Sequence, residues 1–85
     1  MVINRTGTTT ENQIIQLVSW ILDIPSSYIN PYTDFIDDLY LDNMERELLI
    51  ARLERSLGIL LSPEEVASID TIQDISRCFS QHAAA

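Results

Sequence analysis

The feature that most constrains the fold of this chain is a helix signal that begins at Asp42. Its carboxylate can accept hydrogen bonds from the free amides of a first helical turn, and Glu45 stands three residues later, as in a capping box. Gly58 supplies the residue type that commonly ends a helix. Between them, apolar residues recur at helical spacing and predict one broad apolar face: Met44, Leu48, Leu49, Ile50, Leu53 and Leu57. The sequence therefore predicts a central helix over about residues 43–57.

Another helix is predicted upstream of the central one. Thr10 is a suitable N-cap for a helix from about Glu11 to Leu22, and Pro25 ends it. Its apolar stripe consists of Ile14, Ile15, Leu17, Val18, Ile21 and Leu22. The following stretch, up to Asp42, has turn signals but also large apolar groups: Tyr28, Ile29, Tyr32, Phe35, Ile36 and Leu39. Such a loop is expected to lie across the bundle and close one end of the core.

Two shorter helices are predicted downstream. Ser62 precedes a proline and two glutamates, which indicates a short third helix over about residues 63–68. Asp70 or Thr71 can cap a last helix over about residues 72–81. Four helices, the third short, with a long loop between the first two, predict an all-α four-helix bundle.

Length and composition indicate one small domain. The chain has 85 residues, of which 46% are hydrophobic, as in globular proteins. We expect a disordered lead-in over residues 1–9, the bundle over residues 10–81 and a tail over residues 82–85. The first ten residues are polar and every apolar run is far shorter than a membrane span. No signal peptide or membrane segment is therefore expected, and a cytoplasmic location is the default.

The charge of the chain narrows the classes of partner. Thirteen acidic residues against five arginines give a formal charge of −8, which repels nucleic acid and anionic membranes. It suits docking onto basic patches of other proteins, although on its own such a charge can simply keep a small protein in solution. A monomer is expected. Cys78 is the single cysteine and His82 the single histidine, so neither a disulfide nor a metal site is expected. No carboxyl pair is placed for acid–base work, so the chain is not expected to be an enzyme.

The residues around the central helix resemble a known family. They read Phe-Ile-Asp-Asp-Leu-Tyr-Leu-Asp-Asn-Met-Glu over 35–45, then Leu-Gly-Ile over 57–59, Pro-Glu-Glu over 63–65 and Ile-Asp-Thr-Ile-Gln-Asp over 69–74. This pattern is similar to that of the acyl carrier proteins, in which Phe-x-x-Asp-Leu-Gly-x-Asp-Ser-Leu-Asp precedes a leucine-rich helix. The resemblance covers about residues 11–80. It implies a small helical bundle in which that serine carries 4′-phosphopantetheine.

The departures from the family pattern bear directly on function. Asn43 stands where the family has the serine, and Tyr40 replaces a glycine. The pair Glu47-Leu48 appears where the family commonly has an apolar residue followed by an acid. Attachment requires a hydroxyl oxygen that attacks the pyrophosphate of coenzyme A, and a carboxamide has none. No cofactor is therefore expected; with serine at position 43 it would be 4′-phosphopantetheine.

The resemblance implies a protein of fatty-acid or polyketide-type biosynthesis that acts by docking to acyl-chain synthesis or transfer enzymes with basic patches. The expected docking residues are Asp38, Asp42, Met44, Glu45 and Glu47. Three alternatives stay open. The chain can be a genuine carrier in a Ser-to-Asn form, or an acidic helical adaptor outside lipid metabolism. It can also be a bundle that holds a free acyl chain among Met44, Leu49, Leu53 and Ile72.

Overall fold

The fold is an all-α bundle of four helices. The computed structural model describes the backbone of residues 6–83 and the side chains of residues 11–82. The helices are α1 (Thr6–Leu22), α2 (Asn43–Leu57), α3 (Pro63–Ala67) and α4 (Ile72–Ala83), and a short 3-10 helix spans Ser26–Tyr28. No β-strand lies within residues 6–83, although Asp34 and Thr71 form an isolated antiparallel bridge. The predicted fold class is confirmed.

The central helix α2 begins and ends where its sequence signals predict. The carboxylate of Asp42 accepts from the amide of Glu45 at 2.7 Å, and the Glu45 side chain accepts from the Asp42 amide at 3.0 Å. At the other end Gly58 adopts φ 68°, the left-handed conformation that glycine takes without steric cost. Both ends of α2 are therefore fixed by local chemistry.

Helix α1 begins earlier than predicted. It starts at Thr6, so the assignment of Thr10 as its N-cap is wrong. Threonines lower helix propensity by less than about 1 kcal/mol each, which is too little to end a helix without a proline. Residues 6–9 are therefore helical, whereas residues 1–5 of the predicted lead-in lie outside the described residues.

Helices α3 and α4 each begin at a side-chain N-cap. The hydroxyl of Ser62 accepts from the Glu65 amide at 3.1 Å, and Glu65 accepts from the Ser62 amide at 2.8 Å, which completes a second capping box. Of the two caps considered for α4, Thr71 is the one that accepts, from the amide of Asp74 at 3.2 Å. Helix α4 continues to Ala83, two residues beyond the predicted end, and residues 84–85 of the tail lie outside the described residues.

A single core lies between the helices and the long loop. Its buried apolar side chains come from α1, the loop, α2, the segments on either side of α3, and α4: Ile14, Val18, Ile29, Phe35, Leu49, Ile50, Leu53, Leu61, Ile69, Ile72, Ile75 and Phe79. In the described residues no helix is both long and apolar enough to cross a lipid bilayer.

The loop between α1 and α2 closes one end of this core, as predicted. Phe35 is fully enclosed, and Ile29 is 5% exposed. Backbone hydrogen bonds join the loop to the segment before α4: the Phe35 amide donates to the Asp70 carbonyl at 2.9 Å, and the Ile72 amide donates to the Thr33 carbonyl at 3.1 Å. The chain immediately before α2 is thereby held in a fixed position relative to α4.

Candidate functional site

The turn that leads into α2 is shaped by two of its own carboxylates. Asp34 Oδ1 accepts from the amides of Ile36 and Asp37 at 2.9 and 2.8 Å, and Asp38 Oδ2 accepts from the Asp34 amide at 2.8 Å. Such bonds from aspartate to nearby amides stabilise tight turns. Two of the acidic groups ahead of α2 therefore hold the turn through hydrogen bonds to its own backbone.

Asn43 is the first residue of α2 and is exposed to solvent. It lines a groove of about 520 Å³ between α2 and the segment that includes α3. The full lining is Asn43, Arg46, Glu47, Glu54, Leu60, Leu61, Pro63, Val66 and Ala67. None of these nine side chains carries a hydroxyl group.

The residues at this groove do not fit a phosphodiester link to phosphopantetheine. Such a link needs a free alcohol, and the carboxamide of Asn43 has no oxygen that can act as that nucleophile. Two serines that flank α3 are already engaged: Ser62 caps α3, and the Ser68 hydroxyl donates to the Glu65 carbonyl at 2.8 Å. The structure supplies no substitute hydroxyl among the residues that line the groove.

The five residues predicted for docking are all exposed around the start of α2. They are Asp38, Asp42, Met44, Glu45 and Glu47. Met44 is 71% exposed and does not pack against the core. The carboxylates of Asp42 and Glu45 each use one oxygen in the capping box, so their positions are fixed. The five side chains form a mixed acidic and apolar surface, which we call the α2 face.

Two large exposed side chains near the α2 face were not among the predicted docking residues. Leu48 is 59% exposed and lies one turn after Met44. The sequence had placed Leu48 and Met44 on the apolar face of the helix. Tyr40 is 86% exposed and adopts φ 60°. A left-handed conformation disfavours a bulky L residue by about 1–2 kcal/mol, which explains why the family pattern has glycine here. The glycine-to-tyrosine departure was the sequence signal for Tyr40.

Arg46 does not lie on the exposed acidic surface of α2. Its side chain is only 8% exposed, and Nη1 donates to the carbonyls of Val66 and Ile69, both at 2.9 Å. These carbonyls belong to the end of α3 and the residues after it. Arg46 therefore joins α2 to α3, and its positive charge is not displayed on the α2 face.

The free-acyl-chain alternative is not favoured by the positions of its four residues. Leu53 and Ile72 are fully enclosed in the core and Leu49 is 3% exposed, whereas Met44 projects into solvent. The four side chains therefore do not line one common cavity. This prediction about their grouping is wrong, because Met44 lies to one side of the buried stripe of α2.

A second polar connection links α3 to the end of α4. Nε2 of His82 lies 3.0 Å from both carboxylate oxygens of Glu65. The pKa of the Glu65 carboxyl lies below its ordinary value of 4.5, first because the Ser62 backbone amide donates to it and then because His82 contacts it. The capping box of α3 is therefore strongest when Glu65 is ionised.

This connection predicts an acid-dependent loss of stability. A carboxyl group with a lowered folded-state pKa stabilises the fold above about pH 4.5, and that contribution is lost as the pH falls through the lowered pKa. We expect Glu65→Gln to flatten the dependence of the free energy of unfolding on pH between about pH 5 and pH 3. Urea titrations across this range measure it. Glu64→Gln, an exposed neighbour, is the control; equal slopes for both variants would contradict the assignment.

Cys78 is half-buried on α4. Burial raises the pKa of its thiol, and the negative charges of Glu65 and Asp74 raise it further. The thiol is therefore protonated at neutral pH and is a poor nucleophile. Among the described residues no group of His, Cys, Asp and Glu is arranged to hold a metal ion.

Comparison with known proteins places this geometry in a family. A family model described as a phosphopantetheine attachment site matches residues 12–79. The polyketide-8 synthase acyl carrier protein 2 of Streptomyces avermitilis is 32% identical over 63 residues, which are 74% of this chain and 72% of that protein. The acyl carrier protein of Buchnera aphidicola is 36% identical over 63 residues, covering 74% and 79%. That of Solidesulfovibrio magneticus is 32% identical over 53 residues, covering 62% and 68%. The chain belongs to the acyl carrier protein family.

Proposed function

We propose that this chain is a non-catalytic member of the acyl carrier protein family that docks to enzymes of fatty-acid or polyketide-type biosynthesis without carrying phosphopantetheine. The observation that carries the proposal is the exposed Asn43 at the start of an otherwise intact α2, in a groove whose lining has no hydroxyl group. The names of its relatives, which include a polyketide synthase acyl carrier protein, support the metabolic setting.

The support for docking is the defined geometry of the α2 face. Both bonds of the capping box are present, so Asp42 and Glu45 occupy defined positions. Glu47 is exposed, and the exposed Met44 adds an apolar group to the same helix start. Exposed carboxylates together with an exposed apolar side chain suit a partner surface that offers basic groups and an apolar contact. We propose synthesis or transfer enzymes of acyl chains as these partners.

Two further features complete the proposal. The chain acts as a monomer, because the α2 face is acidic and two copies of it repel one another. Its location is proposed to be the cytoplasm. Membership of the acyl carrier protein family argues against the alternative of an adaptor outside lipid metabolism. A Ser-to-Asn form of a genuine carrier would have the same present chemistry as our proposal and would differ from it only in how Asn43 arose.

A competition experiment tests docking and non-carriage together. A broad-specificity phosphopantetheinyl transferase modifies a serine-bearing acyl carrier protein in the presence of coenzyme A, with or without an excess of this chain. We expect this chain to slow the reaction while its own mass stays unchanged. Charge reversal by Glu47→Lys is expected to weaken the inhibition by about threefold, since exposed ion pairs contribute up to ~1 kcal/mol.

The matched control for this experiment is Glu64→Lys, which makes the same charge change on α3, at an exposed residue outside the α2 face. It should inhibit as well as the unaltered chain. Absence of inhibition by the unaltered chain, or an equal loss in both variants, would contradict docking through the α2 face.

A further inference from the structure

A second concave surface lies beside the α2 face, at the end of α1. It has a volume of about 340 Å³ and a floor made of Leu22, Ile24, Leu39 and Leu41. These four side chains are half-buried and pack against the core. The floor of this hollow, which we call the tyrosine pocket, is therefore a firm apolar surface.

The walls of the tyrosine pocket are two aromatic side chains that lie outside the hydrophobic core. Tyr28 is 74% exposed and Tyr40 is 86% exposed, and both line the pocket. Asp38 lies at the same opening, with Oδ2 accepting from the Asp34 amide. Within the described residues no cationic side chain lies within ion-pair distance of Asp38. Two aromatic rings, an unpaired carboxylate and an apolar floor thus meet at one opening.

We infer that the tyrosine pocket receives an arginine side chain from the partner enzyme. Guanidinium groups stack on aromatic faces and present a planar set of donors to a carboxylate, whereas a lysine ammonium offers only a point charge. The apolar floor accommodates the aliphatic stem of an arginine. A formal charge of −8 on the chain adds attraction for such a group.

The size and position of the pocket support one side chain of a docked protein as its occupant. Pockets for small molecules commonly measure about 300–1,000 Å³, so this one is at the small end of the range. It is continuous with the surface of α2, since Leu22 and Leu41 also line a shallow groove that reaches Glu45 and Leu48. A partner on the α2 face can therefore reach the pocket. The inference rests on the proposed docking function and adds the chemistry of the partner residue.

Nuclear magnetic resonance titration of the full chain, labelled at its methyl groups, tests the inference. The probes are a blocked Gly-Leu-Arg-Leu-Gly peptide and its citrulline analogue, which has nearly the same shape without the charge. We expect saturable shifts of the Leu22 and Leu41 methyl signals with the arginine peptide, and binding at least about fivefold weaker with citrulline.

Variants of the chain assign the binding to the pocket. Tyr40→Gly retains the fold, because glycine suits the left-handed backbone at this position. It should weaken binding of the arginine peptide by about fivefold. Asp38→Asn keeps an acceptor for the Asp34 amide and should weaken binding of the arginine peptide by a similar factor. Tyr32→Ala removes a tyrosine that is 75% exposed but does not line the pocket, and should have no effect.

Several results would overturn the arginine assignment. Equal binding of the two peptides, or no effect of Tyr40→Gly on binding, would be two such results. Chemical shifts confined to the Asn43 groove would be a third. The fourth would be the absence of a saturable shift up to roughly 10 mM peptide, since a dissociation constant above that concentration is weaker than that of most specific contacts. The readout is independent of the transferase competition. A chain that competes there but shows no preference for arginine would contradict this inference alone, whereas a chain that fails in both would contradict the docking function.

Discussion

Replacement of Arg46 by methionine is expected to destabilise the protein by about 3 kcal/mol, since a hydrogen bond to a charged group contributes about 1.5–3 kcal/mol and two are lost. Methionine retains an apolar stem of similar length, so the packing of α2 is largely preserved. The Val66 carbonyl still accepts from the Ile69 amide at 3.3 Å, but the Ile69 carbonyl loses the guanidinium that binds it. Most of the lost stability therefore comes from leaving the buried Ile69 carbonyl without a hydrogen-bond donor.

Urea denaturation followed by circular dichroism measures this effect, and thermal melting should show a midpoint lower by at least ~10 °C in a domain of this size. Arg52→Met on the same helix is the matched control, because Arg52 is exposed and its loss should change stability by no more than about 0.5 kcal/mol. Arg46→Lys keeps the charge but not the planar donors, so its stability should be intermediate. Equal stability of the Arg46→Met and Arg52→Met variants would show that the two bonds do not stabilise the fold.

The importance of Arg46 shows where sequence reasoning succeeded and where it failed. The bounds of α2 were predictable because their causes are local: Asp42 with Glu45 at one end and Gly58 at the other. The direction of a charged side chain was not, because its partners are carbonyls about twenty residues away. One signal existed. Arg46 precedes Leu49 and Ile50 by three and four residues, which places it on the buried side of the helix.

The exposed apolar residues illustrate the converse error. Met44 and Leu48 were assigned to the apolar face of α2, but each lies to one side of the stripe formed by Leu49 and Leu53. At 3.6 residues per turn adjacent residues point about 100° apart, so a neighbour of a buried leucine is commonly exposed. The tertiary structure alone shows which of these apolar residues face solvent, and these are the ones available to a partner.

Substitution of Asn43 by serine is expected to produce the largest functional change available to this chain. The serine hydroxyl would stand at the first residue of α2, exposed, with the capping box and the acidic turn around it unchanged. Both residues are small and polar, and position 43 is outside the core, so stability should change by less than about 0.5 kcal/mol. The variant should therefore be a substrate for phosphopantetheinyl transfer from coenzyme A.

Matched variants separate the hydroxyl from its surroundings. Asn43→Ala has no nucleophile and should stay unmodified. Glu47→Lys combined with Asn43→Ser should be modified more slowly than Asn43→Ser alone, because the α2 face has lost a carboxylate that favours a basic enzyme surface. Failure of the serine variant to accept the group would contradict the claim that the α2 face retains the geometry that carrier-modifying enzymes recognise.

The most direct test of the central claim is the intact mass of the unaltered protein after incubation with coenzyme A, magnesium and a broad-specificity phosphopantetheinyl transferase, beside the Asn43→Ser variant under the same conditions. We predict an unchanged mass for the unaltered chain and the addition of one phosphopantetheine to the variant. Addition of one phosphopantetheine to the unaltered chain would contradict the account, since it would show that a residue other than Asn43 carries the group.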